Sequence, residues 1–231
     1  MAACPRAWRL LACHDANQTA MMRTIFIGAL LTLGGCNMVG KTLDREGRMI
    51  DSQARDWRLV ATVSDRGRLR DWRSSFVAAL TAARRSGAAA KIDDEGALLR
   101  PDAALPGPRL PNGTYRCRTT KLGGKSTGML DYVAYPPFVC RVRQERGLQG
   151  FAKLSGSQRQ VGLIFPGDLL RDVFLGTVMF GDEDRAMQYG GDPDRDIGGY
   201  VERIGPARWR LIMPRPTFES QMDVIELVPA G

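Results

Sequence analysis

The residue types that carry most enzyme chemistry are thinly spread in this chain. His14 is its only histidine. It lies in a leading stretch, residues 1–21, with neither hydrophobic periodicity nor a targeting pattern. Without it the remainder cannot assemble a Ser-His-Asp or Cys-His nucleophilic site, nor a zinc or copper centre ligated by imidazole. Carboxylates are what remain. In GDPDRDIGG, Asp192, Asp194 and Asp196 alternate as in a calcium loop. An EF-hand also needs glycine at its sixth position and a bidentate glutamate at its twelfth, where Ile197 and Arg203 stand here. The trio is therefore a weak calcium candidate, and a solvated turn ahead of a strand is the plainer expectation. No other metal set and no cofactor is expected. Asp182, Glu183 and Asp184 form a second acidic turn. Two carboxylates from such turns, held at the right separation across a cleft, could hydrolyse a glycosidic bond.

Two further stretches bear on binding. LGGKSTG at 122–128 imitates the end of a phosphate-binding loop, but Thr119 occupies the first glycine position. MLDYVAYPP, which follows, offers no helix for the phosphate to sit against. A hairpin loop is expected. SGSQRQ at 155–160 places Ser157, Gln158 and Arg159 at a hairpin tip. Binding residues collect at loop tips on rigid scaffolds, so these three form the candidate binding loop. Glu202 and Glu226 sit in strands among apolar neighbours, and outward-facing positions account for them most simply.

The histidine's location matters because of what comes next. MRTIFIGALLTLGGCN, residues 22–37, begins with a basic residue, Arg23, followed by an uncharged run, Thr24 to Leu33. That run of about ten residues has the size of a signal-peptide core, and a membrane-spanning helix needs about twenty. Leu33-Gly34-Gly35-Cys36 resembles a bacterial lipobox, whose cysteine is lipidated and becomes the new N-terminus. The expected organisation is a start site assigned too early over 1–21 and a lipoprotein signal peptide at 22–35. A polar tether would follow at 36–55 and a single globular domain at 56–231. The expected location is the periplasm, with Cys36 holding the protein to a membrane. Asn37 replaces the aspartate associated with inner-membrane retention, which favours the outer membrane.

Losing residues 1–35 removes three arginines and one aspartate, so the formal charge of +8 falls by two. The remaining positive charge is spread along the chain, and no nucleic-acid motif accompanies it; no nucleic-acid partner is expected. Of the 5 cysteines, only Cys117 and Cys140 stay free of the leader and the lipid. An even pair in an oxidising compartment reads as a disulfide. Closing a loop of this length is worth about 3 kcal/mol by the chain-entropy model.

The positioning elements follow from periodicity. Over 64–86, Leu69, Trp72, Phe76, Leu80 and Ala83 make one apolar helical face, with Ser64 as cap, Asp65 in the first turn and Gly87 at the end. Such a stripe is expected to pack on its own domain. RPDAALPGPRLPNG at 100–113 is too rich in proline for a helix or central strand and reads as a connection. From Gly113 the chain alternates in short runs broken by turns: GTYRCRTTK, FVCRVRQE, LQGFAKL, RQVGLIF, DVFLGTVMF, IGGYVERI, RWRLIMP and MDVIELV. Glycines inside these runs, at 150, 162, 176, 198 and 199, suit corners and bulges. The expected fold is α+β and mainly β. An amphipathic helix would precede an antiparallel β-barrel of about eight strands over 113–229, with a lipocalin-like build; a β-sandwich is the alternative.

YRCRTTKLG, YPPFVCRVRQE, LQGFAKLSGSQRQVGLIFPGD, VFLGTVMFGDEDRAMQYG and YVERIGPARWRLIMPRPTFESQMDVIELVP together resemble a bacterial family catalogued as domain of unknown function 4893. The resemblance runs from about Asp56 to Pro229. It implies export in Gram-negative bacteria and carries no assigned activity, cofactor or catalytic residue. The RWRL and cysteine-bearing strands are also distantly similar to small periplasmic inhibitor barrels. The functional expectation is a non-enzymatic envelope lipoprotein whose barrel binds an envelope protein or a small apolar ligand. A carboxylate-dependent glycan hydrolase and a structural envelope protein are the alternatives.

Overall fold

The computed structural model describes Thr42–Leu43, Met49–Ile50 and residues 55–231, all within one compact unit, Met38–Gly231. The early start, the signal peptide, Cys36 and most of the tether lie outside the described residues. Within the tether, strand β1 (Thr42–Leu43) pairs antiparallel with β2 (Met49–Ile50).

The body is a closed eight-stranded antiparallel barrel. Its strands are β3 (Gly113–Gly124), β5 (Phe138–Glu145), β6 (Leu148–Lys153), β7 (Gln158–Phe165), β8 (Arg171–Phe180), β9 (Asp196–Gly205), β10 (Arg208–Pro214) and β11 (Ser220–Pro229). Each pairs with the next along the chain, and β11 returns to pair with β3 over Ser220–Pro229. One extra strand, β4 (Tyr132–Ala134), takes over the edge of β3 at Thr120–Leu122, where β5 has already ended at the Cys117–Phe138 pairing. Closure leaves the eight barrel strands without a free edge.

Strand alternation sorts the side chains into two layers. Tyr115, Cys117, Cys140, Val142, Phe151, Phe174, Trp209, Leu211, Ile225 and Leu227 fill the interior. Gly162 and Gly176 face each other across β7 and β8, and the Phe174 ring lies over the space their side chains would need. The disulfide Cys117–Cys140 spans β3 and β5 inside the barrel with a Cα–Cα distance of 5.8 Å.

Helices cover the outside. The stripe forms two helices, α2 (Val63–Arg70) and α3 (Trp72–Ala83), after a single turn, α1 (Trp57–Val60). The cap is Thr62, whose hydroxyl accepts from the Asp65 amide, and not Ser64. The break falls at Asp71, whose backbone (φ −95°, ψ 14°) leaves the helical region. Gly87, at φ 92°, ends the run as expected and turns the chain into α4 (Ala89–Asp94). Phe76, Ala79, Leu80 and Ala83 pack on Leu122, Ile212, Met222 and Val224, whereas Leu69 joins a separate cluster with Val173 and Leu175. Among the described residues no helix is long and apolar enough to cross a membrane.

Arg210, on the outer face of β10, fixes this layer. It is wholly buried, as is Glu202 on the neighbouring β9. The guanidinium donates to Glu202 Oε2 at 2.5 and 2.7 Å and to the carbonyls of Ala97, Leu98, Arg100 and Pro101. Glu202 is therefore outward from the barrel, as its strand position requires, but covered by the chain that leaves α4. Arg171 bonds its other oxygen at 2.5 Å. Glu226 likewise faces outward and bonds Arg118 and Arg208.

The proline-rich segment is more than a connection. Leu110 enters the barrel core at one end. Barrel side chains hold the neighbouring backbone: Arg203 bonds the carbonyl of Pro106, Trp209 that of Pro108, Gln149 that of Leu110 and Tyr115 that of Pro111. This strap closes the end where β3 begins.

Replacing Arg210 by methionine leaves the buried Glu202 carboxylate with Arg171 alone and unpairs the carbonyls of Ala97, Leu98, Arg100 and Pro101, and should cost about 3–5 kcal/mol in urea unfolding. Glu202→Gln added to Arg210→Met should recover part of that loss. Replacing both Cys117 and Cys140 by serine should cost about 3 kcal/mol by the same measurement.

Candidate functional site

The opposite end of the barrel is open and polar. A cavity of about 210 Å³ lies there, lined by Thr119, Lys121, Tyr135, Phe138, Lys153, Gly156, Ser157, Gln158, Gln160 and Glu219. Each of its chemical groups has a structural origin. Lys121 is near the end of β3, Lys153 ends β6 and Gln158 opens β7, so all three cluster at the mouth. The fork of β3 between β5 and β4 adds Tyr135 and Phe138 to the wall.

Two buried lysines occupy this mouth in unequal surroundings. Lys121 Nζ sits 2.8 Å from Glu219 and 3.4 Å from Asp223, and donates to Gln158 Oε1 at 2.8 Å. Burial pulls its pKa down, but Asp223 and Glu219 outweigh that and leave it raised. Lys153 Nζ donates to the Gln158 carbonyl at 2.9 Å and lies 3.9 Å above the Phe138 ring. Among the described residues it makes no ion pair. Burial, reinforced by the charge on Lys121 and opposed by Asp223, lowers its pKa to about 8. Asp223 is buried and its pKa is raised by that burial, against the pull of Lys121 and the Ser220 hydroxyl. Two acceptors in the lining, Gln160 Oε1 and the Thr119 hydroxyl oxygen, are buried without a hydrogen-bond partner. Leaving such atoms unpaired costs about 1–3 kcal/mol each.

The candidate loop divides. Ser157 and Gln158 line the cavity. Arg159 points away and bonds the carbonyls of Phe180 and Glu183 at 2.6 Å. LGGKSTG forms the end of β3 and the loop after it; Lys125 bonds the Pro216 and Thr217 carbonyls. The acidic turns lie elsewhere. Glu183 is bound to Arg195 and to the Phe180 amide, and Asp192 accepts from the Asp194 amide. Asp196 is buried and accepts from the Gly190 amide. Asp182 and Asp184 are exposed. Among the described residues no group of three or more His, Cys, Asp or Glu is arranged to hold a metal ion.

Hollows of about 180 and 320 Å³ flank the strap. Arg109 and Asp172, which line both, neutralise each other in a close ion pair. The mouth differs in retaining unpaired acceptors, whereas the hollow lined by Arg203 retains an unpaired donor, its buried Nε. Lys121, Lys153 and Gln160 were not legible as a site in the sequence, because each is a lone polar residue at the inward parity of a different strand. The usable signal is that inward parity itself: Thr119, Lys121, Lys153, Gln160 and Asp223 all occupy positions where the alternation demands an apolar residue.

The buried ammonium gives a pH signature. The unfolded lysine titrates near 10.5 and the folded one near 8. The cost of holding Lys153 charged is therefore present in full below pH 8 and relieved as pH rises toward 10.5. Lys153→Met should gain more stability over the unaltered chain at pH 6.5 than at pH 10, read from urea midpoints at the two values.

The profile of the family "domain of unknown function (DUF4893)" matches residues 57–227. No curated protein and no solved structure matches the chain. The match spans the helical layer, the strap, the barrel and both ends just described, and the chain belongs to the DUF4893 family.

Proposed function

We propose that the chain is a non-enzymatic binding module of the cell envelope, and that its barrel mouth takes a small carboxylic acid bearing a hydroxyl or amino group. The observation that carries this reading is the set of unsatisfied groups at the mouth. The ammonium of Lys153, with no counter-ion among the described residues, calls for an anion. Gln160 Oε1 and the Thr119 hydroxyl oxygen lack donors. The cavity's size, about 210 Å³, suits a small molecule. This lining favours a polar occupant over the apolar one expected from the strand pattern. The carboxylates suspected of glycan hydrolysis are divided between exposed turns and internal bonds, which leaves the enzymatic alternative without support. Lipidation at Cys36 would place the mouth in the envelope, within reach of sugar acids and hydroxy acids.

Titrating the full chain with lactate, glycerate and gluconate should shift the backbone amide resonances of Ser157, Gln158 and Gln160, while glucose should not. Lys153→Met should weaken binding about ten-fold or more, as expected for loss of a hydrogen bond to a charged group. Equal responses to glucose and gluconate, or none to either, would discard the reading. Separately, Cys36→Ser should move the protein from the membrane fraction to the soluble periplasmic fraction of a Gram-negative host. An unchanged distribution would remove the lipid anchor from the proposal.

A further inference from the structure

The two lysines at the mouth differ in a way that simple anion binding does not require. Lys121 is fixed by two carboxylates, Glu219 and Asp223, and keeps its proton. Lys153 has only a carbonyl and the face of Phe138. Both bond to Gln158, one to its side chain and the other to its backbone, so they belong to one cluster. When neighbouring ionisable groups are pushed apart in this way, one is suited to act as a charge and the other as a base or nucleophile. A lysine desolvated beside a second cation is a recognised form of activated amine.

We propose that the mouth captures carbonyl compounds, small aldehydes or 2-oxo acids, as an imine on Lys153 Nζ. This rests on the binding reading above and names the reacting group within it. The neutral amine attacks the carbonyl carbon and a C–N bond forms. Both nitrogen hydrogens pass to the carbonyl oxygen, the C–O bond breaks, and water leaves. No electrons are exchanged, so no oxidant or reductant is needed. The Lys121 ammonium stabilises negative charge that develops on the oxygen. Gln160 Oε1 accepts from a hydroxyl elsewhere on the ligand. Tyr135, Glu219 and Asp223 are the other ionisable groups facing the cavity or its lysines. The lowered pKa of Lys153 leaves an appreciable fraction of free amine near neutrality, whereas an ordinary lysine is almost wholly protonated there.

The test treats the full chain with glyoxylate and cyanoborohydride at pH 7, which reduces any imine to a stable carboxymethyl-lysine, and maps the product by peptide mass spectrometry. Lys153 should be modified at least ten-fold faster than exposed Lys91, a margin well inside the roughly 300-fold excess of free amine that a pKa of about 8 gives over an ordinary lysine, and excess lactate should slow Lys153 alone. Lys153→Arg should keep the amide shifts caused by glyoxylate and lose the fast adduct. Modification of Lys153 no faster than Lys91 would overturn the proposal. If glyoxylate shifts the Ser157 and Gln160 amides but Lys153 is not trapped, the imine is wrong and the binding site stands. If neither occurs, both readings fall.

Discussion

The guanidinium of Arg210 is the point on which the two layers of this protein depend. It is fully buried, and a buried cation is tolerable only when its donors are satisfied. Here Glu202 balances the charge and four carbonyls, from Ala97 to Pro101, take the remaining donors. Those carbonyls belong to the chain between the helical layer and the strap. One side chain therefore ties a barrel strand to the segment that carries α3 and α4 in one direction and the strap in the other. The arrangement adds specificity to hydrophobic packing, which by itself would accept several registers of helix against sheet.

This tie makes the barrel one-ended. With the strap seated, Leu110 closes the base among Tyr115, Val142, Phe151 and Trp209, and the polar side chains there, Gln149, Arg203 and Asp172, are engaged by the strap. At the other end the inward positions turn polar. The contrast runs along single strands: β3 carries Tyr115 and Cys117 at the base side and Thr119 and Lys121 at the mouth. Burying lysine, threonine and glutamine opposes stability, and the fold tolerates it because the closed ladder and the outer apolar clusters hold the wall independently.

Much of the architecture was legible from local pattern. The barrel followed from short alternating runs and regular turns, and the cysteine pair from its being the even pair left once the leader and the lipid site are set aside. The helix at 64–86 was legible as a stripe but not as two pieces, because Asp71 breaks the backbone without a proline or glycine to announce it. The roles of Glu202 and the strap were hidden for a different reason. Glu202 is covered by carbonyls at Ala97 to Pro101, about a hundred residues away in sequence, and the strap is read by Gln149, Arg203 and Trp209 on three separate strands. The mouth was half legible: Ser157 and Gln158 were visible as a loop tip, but the lysines meet only when distant strands are brought side by side.

Besides the Leu110 side chain and the Arg109–Asp172 ion pair, the strap is held through its backbone oxygens, at Pro106, Pro108, Leu110 and Pro111. Proline has a carbonyl but no N–H. A run rich in it is a ribbon of acceptors with few donors of its own, and its fixed φ keeps those acceptors aimed. The barrel supplies the matching donors from arginine, tryptophan, glutamine and tyrosine side chains. The base of the barrel is thus sealed by a lock whose key is written in dihedral angles. Substituting many of the strap's side chains leaves this lock intact, whereas removing any of the four donors that read it leaves a carbonyl without its partner.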